Sequence, residues 1–241
     1  MKEHSTIQLR LSKASSICVL TGAGISADSG VPTFRGEDGL WRNFRAEELA
    51  MPEAFSKDPR LVWEWYNWRR EIIATKNPNE AHYALVEMEK QHPIVTLITQ
   101  NVDGLHAKAG SRNLIEIHGN IWKVRCTVCE DISENYDVPI NILPYCCGSC
   151  GGLLRPHIVW FGELLDPMDI KHSMDALRFC EIMLVIGTSG IVQPAASFVS
   201  MAKSSGAYVV EINTEETPNS CLIDESLIGR ASEVVPLLIR T

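Results

Sequence analysis

Short apolar runs alternate along the chain with longer stretches of helical periodicity. ICVLT (17–21), IVTLIT (94–99), LIEI (114–117), IMLVIG (182–187) and AYVVEIN (207–213) are brief, rich in Ile and Val, and bounded by Gly, Asn or His, which predicts strands. Stretches near 80–91, 166–179, 194–204 and 231–238 read as helices. Near-continuous apolar strands separated by helices predict an α/β fold, a Rossmann-like parallel sheet with helices on both faces. Two segments break the rhythm. Residues 36–78 are helical and aromatic-rich, and residues 122–155 hold Cys, Pro and Gly with little periodicity. Together they are expected to form a small module beside a larger part made of 1–35, 79–121 and 156–241, with a ligand cleft between the two.

The stretch WEWYNWRREII (63–73) packs three of the six Trp against arginines. On a helix advancing about 100° per residue, Leu61, Trp65, Trp68 and Ile72 share one stripe, expected to be core. Glu64, Asn67 and Glu71 are expected on the solvent side. Tyr66 and Arg69, three apart, share a flank with Val62 and Ile73. The spacing also allows Arg70 as the partner of Tyr66.

Composition narrows the function. A net charge of -8 argues against nucleic acid, because neutralising phosphates needs clustered Lys and Arg. No apolar run approaches the roughly 18 residues of a membrane helix. The first residues, MKEHSTIQLRLSKASS, have no long apolar h-region, so a cytoplasmic protein is expected. Of eight Cys, five lie between 126 and 150, which points to a reducing compartment and a metal. Cys126-x2-Cys129 and Cys147-x2-Cys150, separated by 17 residues, match the spacing of a four-thiolate zinc site. Four protein ligands leave no open position, so the single zinc is structural. Cys146 breaks the spacing, and Cys18, Cys180 and Cys221 read as small core residues.

Candidate chemistry gathers at strand ends. After ICVLT, Gly22, Gly24 and Ala27 fit G-x-G-x-x-G/A, which permits a tight turn and close approach to a pyrophosphate. A plain glycine turn fits these residues equally well. The acidic ribose ligand expected about 20 positions on is missing, since Glu47 and Glu48 stand in a stretch that is not strand-like. Instead GVPTFRG follows, where Pro32 discourages a long helix and Phe34 and Arg35 suit a lid and a phosphate partner. ITQNVDGLH and LIEIHGN place Gln100, Asn101, Asp103 and His118 at strand ends, where a His can act as general base near neutral pH. Gly187, Thr188, Ser189 and Asn213 end two further strands.

GAGISADSGVPTFRG, TQNVDGLH, IHGN, the two Cys pairs, CGGLLRP-x-IVWFGE (150–163), GTS (187–189) and GRASEVVP (229–236) occur in the order found in sirtuins, and they span nearly the whole chain. The sequence resembles this family of NAD-dependent protein-lysine deacylases. The resemblance implies a Rossmann-type domain with a small zinc and helical domain. It implies that Gly22, Ala23, Gly24, Ile25, Ser26, Ala27, Thr33, Phe34, Arg35 and Trp41 belong to the phosphate turn and cofactor loop. Gln100, Asn101, Val102 and Asp103 would line the nicotinamide and ribose. Gly187, Thr188, Ser189, Asn213, Thr214, Glu215 and Ala231 would hold the phosphate, ribose and adenine end. Val159, Phe161, Gly162 and Glu163 would clamp the substrate peptide as an added strand.

The implied reaction consumes NAD. The acyl oxygen of the modified lysine attacks the ribose carbon, nicotinamide leaves, and water releases lysine and O-acyl-ADP-ribose. His118 would be the general base, Asn101 would orient ribose or water, and Phe34 would exclude solvent. Tyr66-x-x-Arg69 is similar to the pattern of sirtuins that prefer succinyl-, malonyl- or glutaryl-lysine, with Ala54 widening the acyl pocket and His157 also fitting that subgroup. Gly190 departs from the apolar residue common at its position. Acyl-lysine proteins or peptides are the expected partners, with no nucleic acid or membrane, and the chain is expected to be a monomer. The alternatives are a protein mono-ADP-ribosyltransferase using NAD, a Rossmann oxidoreductase and a non-enzymatic NAD sensor. The missing acidic residue and the zinc module argue against hydride chemistry. His118 together with Asn101 argues against a sensor, and His118 with an open acyl pocket favours deacylation over transfer.

Overall fold

The computed structural model describes residues 2–32, 40–41 and 44–239. Six parallel strands form the main sheet: β1 (Ser16–Thr21), β2 (Ile94–Thr99), β3 (Leu114–Glu116), β4 (Ile182–Ile186), β5 (Tyr208–Asn213) and β6 (Glu225–Ile228). Their spatial order is β6-β5-β4-β1-β2-β3, the doubly wound arrangement whose strand order reverses between β1 and β4. Ile17 of β1 lies level with Val95 of β2 and Ile182 of β4. Side chains alternate between faces. Ile17 and Val19 join a core with Ile7, Leu85 and Val235 from the helices Lys2–Lys13, Glu80–Gln91 and Ala231–Ile239. Cys18 and Leu20 join one with Leu177, Phe198 and Val199 from the helices Pro167–Phe179 and Ala195–Ser204. No helix among the described residues is long and apolar enough to cross a membrane.

Two elements of this layer escape the periodicity reading. In Lys2–Lys13, among the described residues, Ile7 and Leu11 reach the core from a mostly polar segment in which Leu9 is exposed. ESLI in β6 is an edge strand with one buried residue, too short to show a pattern.

The cysteine-bearing segment holds a three-stranded antiparallel sheet, ordered Ile132–Glu134, Gly119–Cys126, Leu154–Ile158. Its pairing is irregular between Gly119 and Val124, which breaks the period of two. Pro156 sits inside Leu154–Ile158, and an edge strand tolerates it. These two strands straddle the boundaries placed at 121/122 and 155/156.

The helix Pro59–Ala74 corrects the expected stripe. Its buried residues are Val62, Trp63, Trp65, Tyr66, Asn67, Arg70 and Ile73, whereas Leu61 and Trp68 are only partly buried. Asn67, expected in solvent, donates to the Ile140 carbonyl and accepts from the Ile140 N–H, both at 3.0 Å. Arg70 is fully buried, donates to the Asn135 side chain at 2.8 Å and to its carbonyl, and lies over the Trp122 ring. A hydropathy pattern assigns Asn and Arg to water; here residues 135–140, distant in sequence, provide their partners instead. Arg70 is thereby committed to Asn135, and Arg69 is the cation beside Tyr66, 5.6 Å from its ring centroid. Cys221 is a further correction: it is exposed, in the surface turn Ser220–Leu222, while Cys18 and Cys180 are buried.

Candidate active site

β1 and β4 end side by side, and each runs into a glycine turn. Gly22 N–H donates to the Ile186 carbonyl at 3.0 Å, and Gly24 N–H to the Gly187 carbonyl at 2.8 Å. A Cβ on Gly24 would lie 2.6 Å from Gly187 Cα, and Gly187 has φ +58. The glycines therefore let the two turns touch each other, a role additional to the expected approach of a pyrophosphate. The helix that follows, Gly24–Ala27, has four residues, with Ile25 and Ser26 buried and Ala27 exposed.

The residues after β2 and β3 converge on these turns. Asn101 is buried, and its Nδ2 donates to the Gly22 carbonyl at 3.0 Å and to Ser26 Oγ at 3.2 Å. Both amide hydrogens are thus engaged, leaving Oδ1 as an acceptor. Gln100 Nε2 donates to Thr188 Oγ1 at 3.0 Å. The Gln100 carbonyl lies 3.0 Å from His118 Nδ1. A carbonyl only accepts, so Nδ1 carries the proton and Nε2 keeps its lone pair. Burial pushes the His118 pKa below the usual histidine value, partly offset by the Gln100 bond. Val102 is buried, and its carbonyl accepts from Ile121 N–H at 2.8 Å. Asp103 is buried, which raises its pKa against the pull of the Leu105 N–H, the Ser26 hydroxyl and Arg69.

The segment expected to clamp a peptide lies beside His118. Val159 N–H donates to the His118 carbonyl, and Phe161 N–H to the Ala50 carbonyl, both at 2.9 Å. Phe161 and Gly162 are exposed. Glu163 is already engaged, by Arg155 and by Trp160 N–H at 2.8 Å, so it shapes this segment. On the β4–β5 side, Asn213 Nδ2 donates to the Thr188 carbonyl at 2.9 Å. Ser189 is half-buried, Thr214 and Glu215 are exposed, and Ala231 is buried at the start of the last helix. Thr33, Phe34 and Arg35 lie outside the described residues, and Trp41 belongs to the short strand Leu40–Trp41.

The four predicted zinc ligands come together. Their sulfurs all lie within 4.8 Å of one another, with 3.4 Å between Cys126 and Cys150, 3.5 Å between Cys150 and Cys129, and 3.9 Å between Cys129 and Cys147. A tetrahedral zinc with Zn–S near 2.3 Å requires edges of about 3.8 Å, so the set fits the ion. Val128 N–H donates to Cys126 Sγ and Gly152 N–H to Cys150 Sγ, both at 3.4 Å, contacts that favour the thiolates a metal needs. Cys146 is exposed and outside the cluster.

Two buried histidines were not singled out by sequence. His106 Nε2 lies 3.0 Å from Thr21 Oγ1, which donates to Thr99 Oγ1 at 2.8 Å; Thr99 Oγ1 in turn accepts from Asn101 N–H. His82 pairs with Asn79, whose amide donates to the Ile25 carbonyl at 2.7 Å. The two rings lie 4.7 Å apart and buttress the turn from beneath. In their helices His82 follows Glu80 by two positions and His106 precedes Lys108 by two, a setting where a His reads as surface. Burial pushes His82 down to about 4 and His106 well below its ordinary value. The unfolded chain takes up protons below about pH 6.5 that the folded state refuses, so stability should fall as pH drops from about 6.5 to about 4. His82 alone accounts for a loss on the order of 3 kcal/mol. Denaturant midpoints measured over that range should show this slope, and His82→Gln should flatten it; an unchanged slope in the variant excludes His82 as its source.

A doubly wound sheet with paired glycine turns at its switch point, joined to a four-cysteine module that fits a zinc ion, is the architecture of a class of dinucleotide-binding proteins. The chain belongs to the Sir2 family, whose model matches residues 22–194. It is 53% identical over 216 residues to an NAD-dependent protein deacylase of Aquifex aeolicus, covering 90% of each protein. It is also similar to a solved Sir2 homolog–NAD complex, with TM-score 0.94 and 46% identity over 98% of this chain and 92% of that one. A mutant Sir2 homologue solved with 2'-O-acetyl ADP ribose matches with TM-score 0.92 and 46% identity, over 98% of this chain and 94% of that one.

Proposed function

We propose that the chain removes acyl groups from protein lysines at the expense of NAD, accepting succinyl and malonyl as well as acetyl groups. The observation that carries the deacylase reading is the His118–Gln100 bond, which leaves a basic Nε2 in the crevice that also holds Asn101. When bound, NAD supplies the ribose carbon that takes the acyl oxygen as nicotinamide departs. His118 Nε2 accepts the proton of a ribose hydroxyl. Asn101 Oδ1 holds a ribose hydroxyl or the attacking water. Segment 159–163 offers backbone to an extended peptide, with Val159 anchored on His118. The cysteine cluster holds a zinc remote from any open coordination chemistry.

The acyl preference rests on Tyr66 and Arg69. Tyr66 is fully buried, and its hydroxyl accepts from Trp160 Nε1 at 2.8 Å and is hydrogen-bonded with Arg69. Arg69 lies 5.1 Å from the Trp65 centroid. Burial lowers its pKa, with Tyr66 and Asp103 opposing. A partly desolvated cation against aromatic walls suits a terminal carboxylate. Ala54, on the helix Pro52–Lys57, packs against the same cluster with a minimal side chain.

Mass spectrometry of acetyl-, succinyl- and malonyl-lysine peptides, with and without NAD, tests both parts. Loss of the acyl group only with NAD, and with nicotinamide release, is expected; ADP-ribosylated peptide with the acyl group retained overturns the reading. Hydrogen bonds to a charged group are worth about 1.5–3 kcal/mol each. Tyr66→Phe with Arg69→Met should therefore cut desuccinylation by about a hundredfold or more while sparing most deacetylation. Equal losses on both substrates would make the pair structural.

A further inference from the structure

We propose that Glu211 is a positioning residue for the cofactor: its buried carboxylate fixes the turn 217–220, and so the loop after β5, for the adenosine half of NAD. This rests on the proposed use of NAD. Glu211 is 1% exposed, in the middle of β5 and flanked by the fully buried Val210 and Ile212. No cation is paired with it among the described residues. Three hydroxyls hold it instead: Thr217 Oγ1 at 2.6 Å, Ser220 Oγ at 2.5 Å and Ser226 Oγ at 3.4 Å. An apolar residue would satisfy a strand covered on both faces with no charge to desolvate. What the carboxylate adds is a defined loop.

The hydroxyls that donate to Glu211 also accept from the turn's own backbone. Ser220 Oγ accepts from Thr217 N–H at 2.8 Å, and Thr217 Oγ1 from Asn219 N–H at 3.3 Å. Asn219 Nδ2 ties the same turn to the Ala196 carbonyl at 3.0 Å. Gly190 lies against it: a Cβ there would be 3.2 Å from Asn219 Nδ2 and 3.3 Å from Thr217 Oγ1, on a backbone of φ +66. The departure at Gly190 thus makes room for the turn that Glu211 holds.

Position at the switch point assigns the turn to the adenosine. Asn101, Asp103 and His118 follow β2 and β3, on one side of the crevice. A dinucleotide with its phosphates over the turns after β1 and β4 extends its other half over the ends of β4 and β5. There stand Asn213, bonded to the Thr188 carbonyl, and the loop that Glu211 secures.

The test compares wild type, Glu211→Gln and the pair Thr217→Val with Ser220→Ala, which disrupts the same network while keeping the carboxylate. Calorimetric Kd for ADP-ribose and KM for NAD should rise about tenfold, the scale of one lost hydrogen bond to a charged group. kcat and KM for the acyl peptide should stay within about twofold. Amide exchange should quicken at 214–220 and not in β1. A folded variant pair with wild-type ADP-ribose affinity overturns the proposal, as does a parallel loss in both substrates' KM and in kcat. If Glu211→Gln does not fold, the double variant decides by the same criteria. If wild type binds no ADP-ribose, the NAD reading falls and this inference with it; if wild type binds and both variants bind alike, this inference alone falls.

Discussion

His118→Ala is expected to lower the deacylation rate by a factor of about 10² to 10⁴, the usual contribution of a positioned general base, while leaving ADP-ribose binding and thermal stability near wild type. Among the described residues the ring is held by one hydrogen bond, from Nδ1 to the Gln100 carbonyl, so its loss should remove the proposed base without opening the core. The pH profile provides a second signature. Burial keeps the His118 pKa below the usual histidine value, so the neutral base persists as pH falls through 6.5, and the rate should drop only at more acid pH. That acid limb should vanish from the residual rate of His118→Ala. Turnover equal to wild type in this variant would remove His118 from the mechanism.

Cys147→Ser, or a chelator, is expected to release one zinc per chain and unfold the three-stranded sheet; structural zinc in small domains is worth on the order of 10 kcal/mol. Activity should go with it, and the fold shows why. His118 immediately precedes the strand Gly119–Cys126, which ends on a predicted zinc ligand, and Val159 immediately follows Leu154–Ile158. The two strands pair with each other, and Val159 N–H binds the His118 carbonyl. Unfolding the module should separate His118 from the segment 159–163. Cys146→Ser should keep the metal, since its sulfur lies outside the cluster. Metal analysis and amide exchange over 119–134 read both variants; zinc retained in Cys147→Ser and lost in Cys146→Ser would overturn the ligand assignment.

Legibility followed the length scale of the interaction. Apolar runs bounded by turn residues marked five of the six main strands, because burial on both faces favours mostly apolar residues over β1, β2, β4 and β5, with buried polar exceptions such as Thr96 and Glu211. The clustering of the four cysteines was readable because C-x2-C brings two sulfurs together within one turn. The helix Pro59–Ala74 was misjudged in rotation: Asn67 and Arg70 are buried only because residues 135–140 meet them.

The sequence by itself determined the alternation of strands and helices, the cysteine tetrad and the polar residues at strand ends, since each depends on neighbours a few positions apart. Tertiary structure alone decided which of those strand ends meet. It brought the turn after β1 against Gly187, set His118 beside Gln100 and Val159, and committed Arg70 to Asn135, where spacing alone had left it open as a partner of Tyr66. It also buried His82, His106 and Glu211, whose local sequence reads as surface or strand. The physical reason is that a polar side chain is buried only where distant backbone and side-chain groups complete its hydrogen bonds, and spacing along the chain carries no record of those partners.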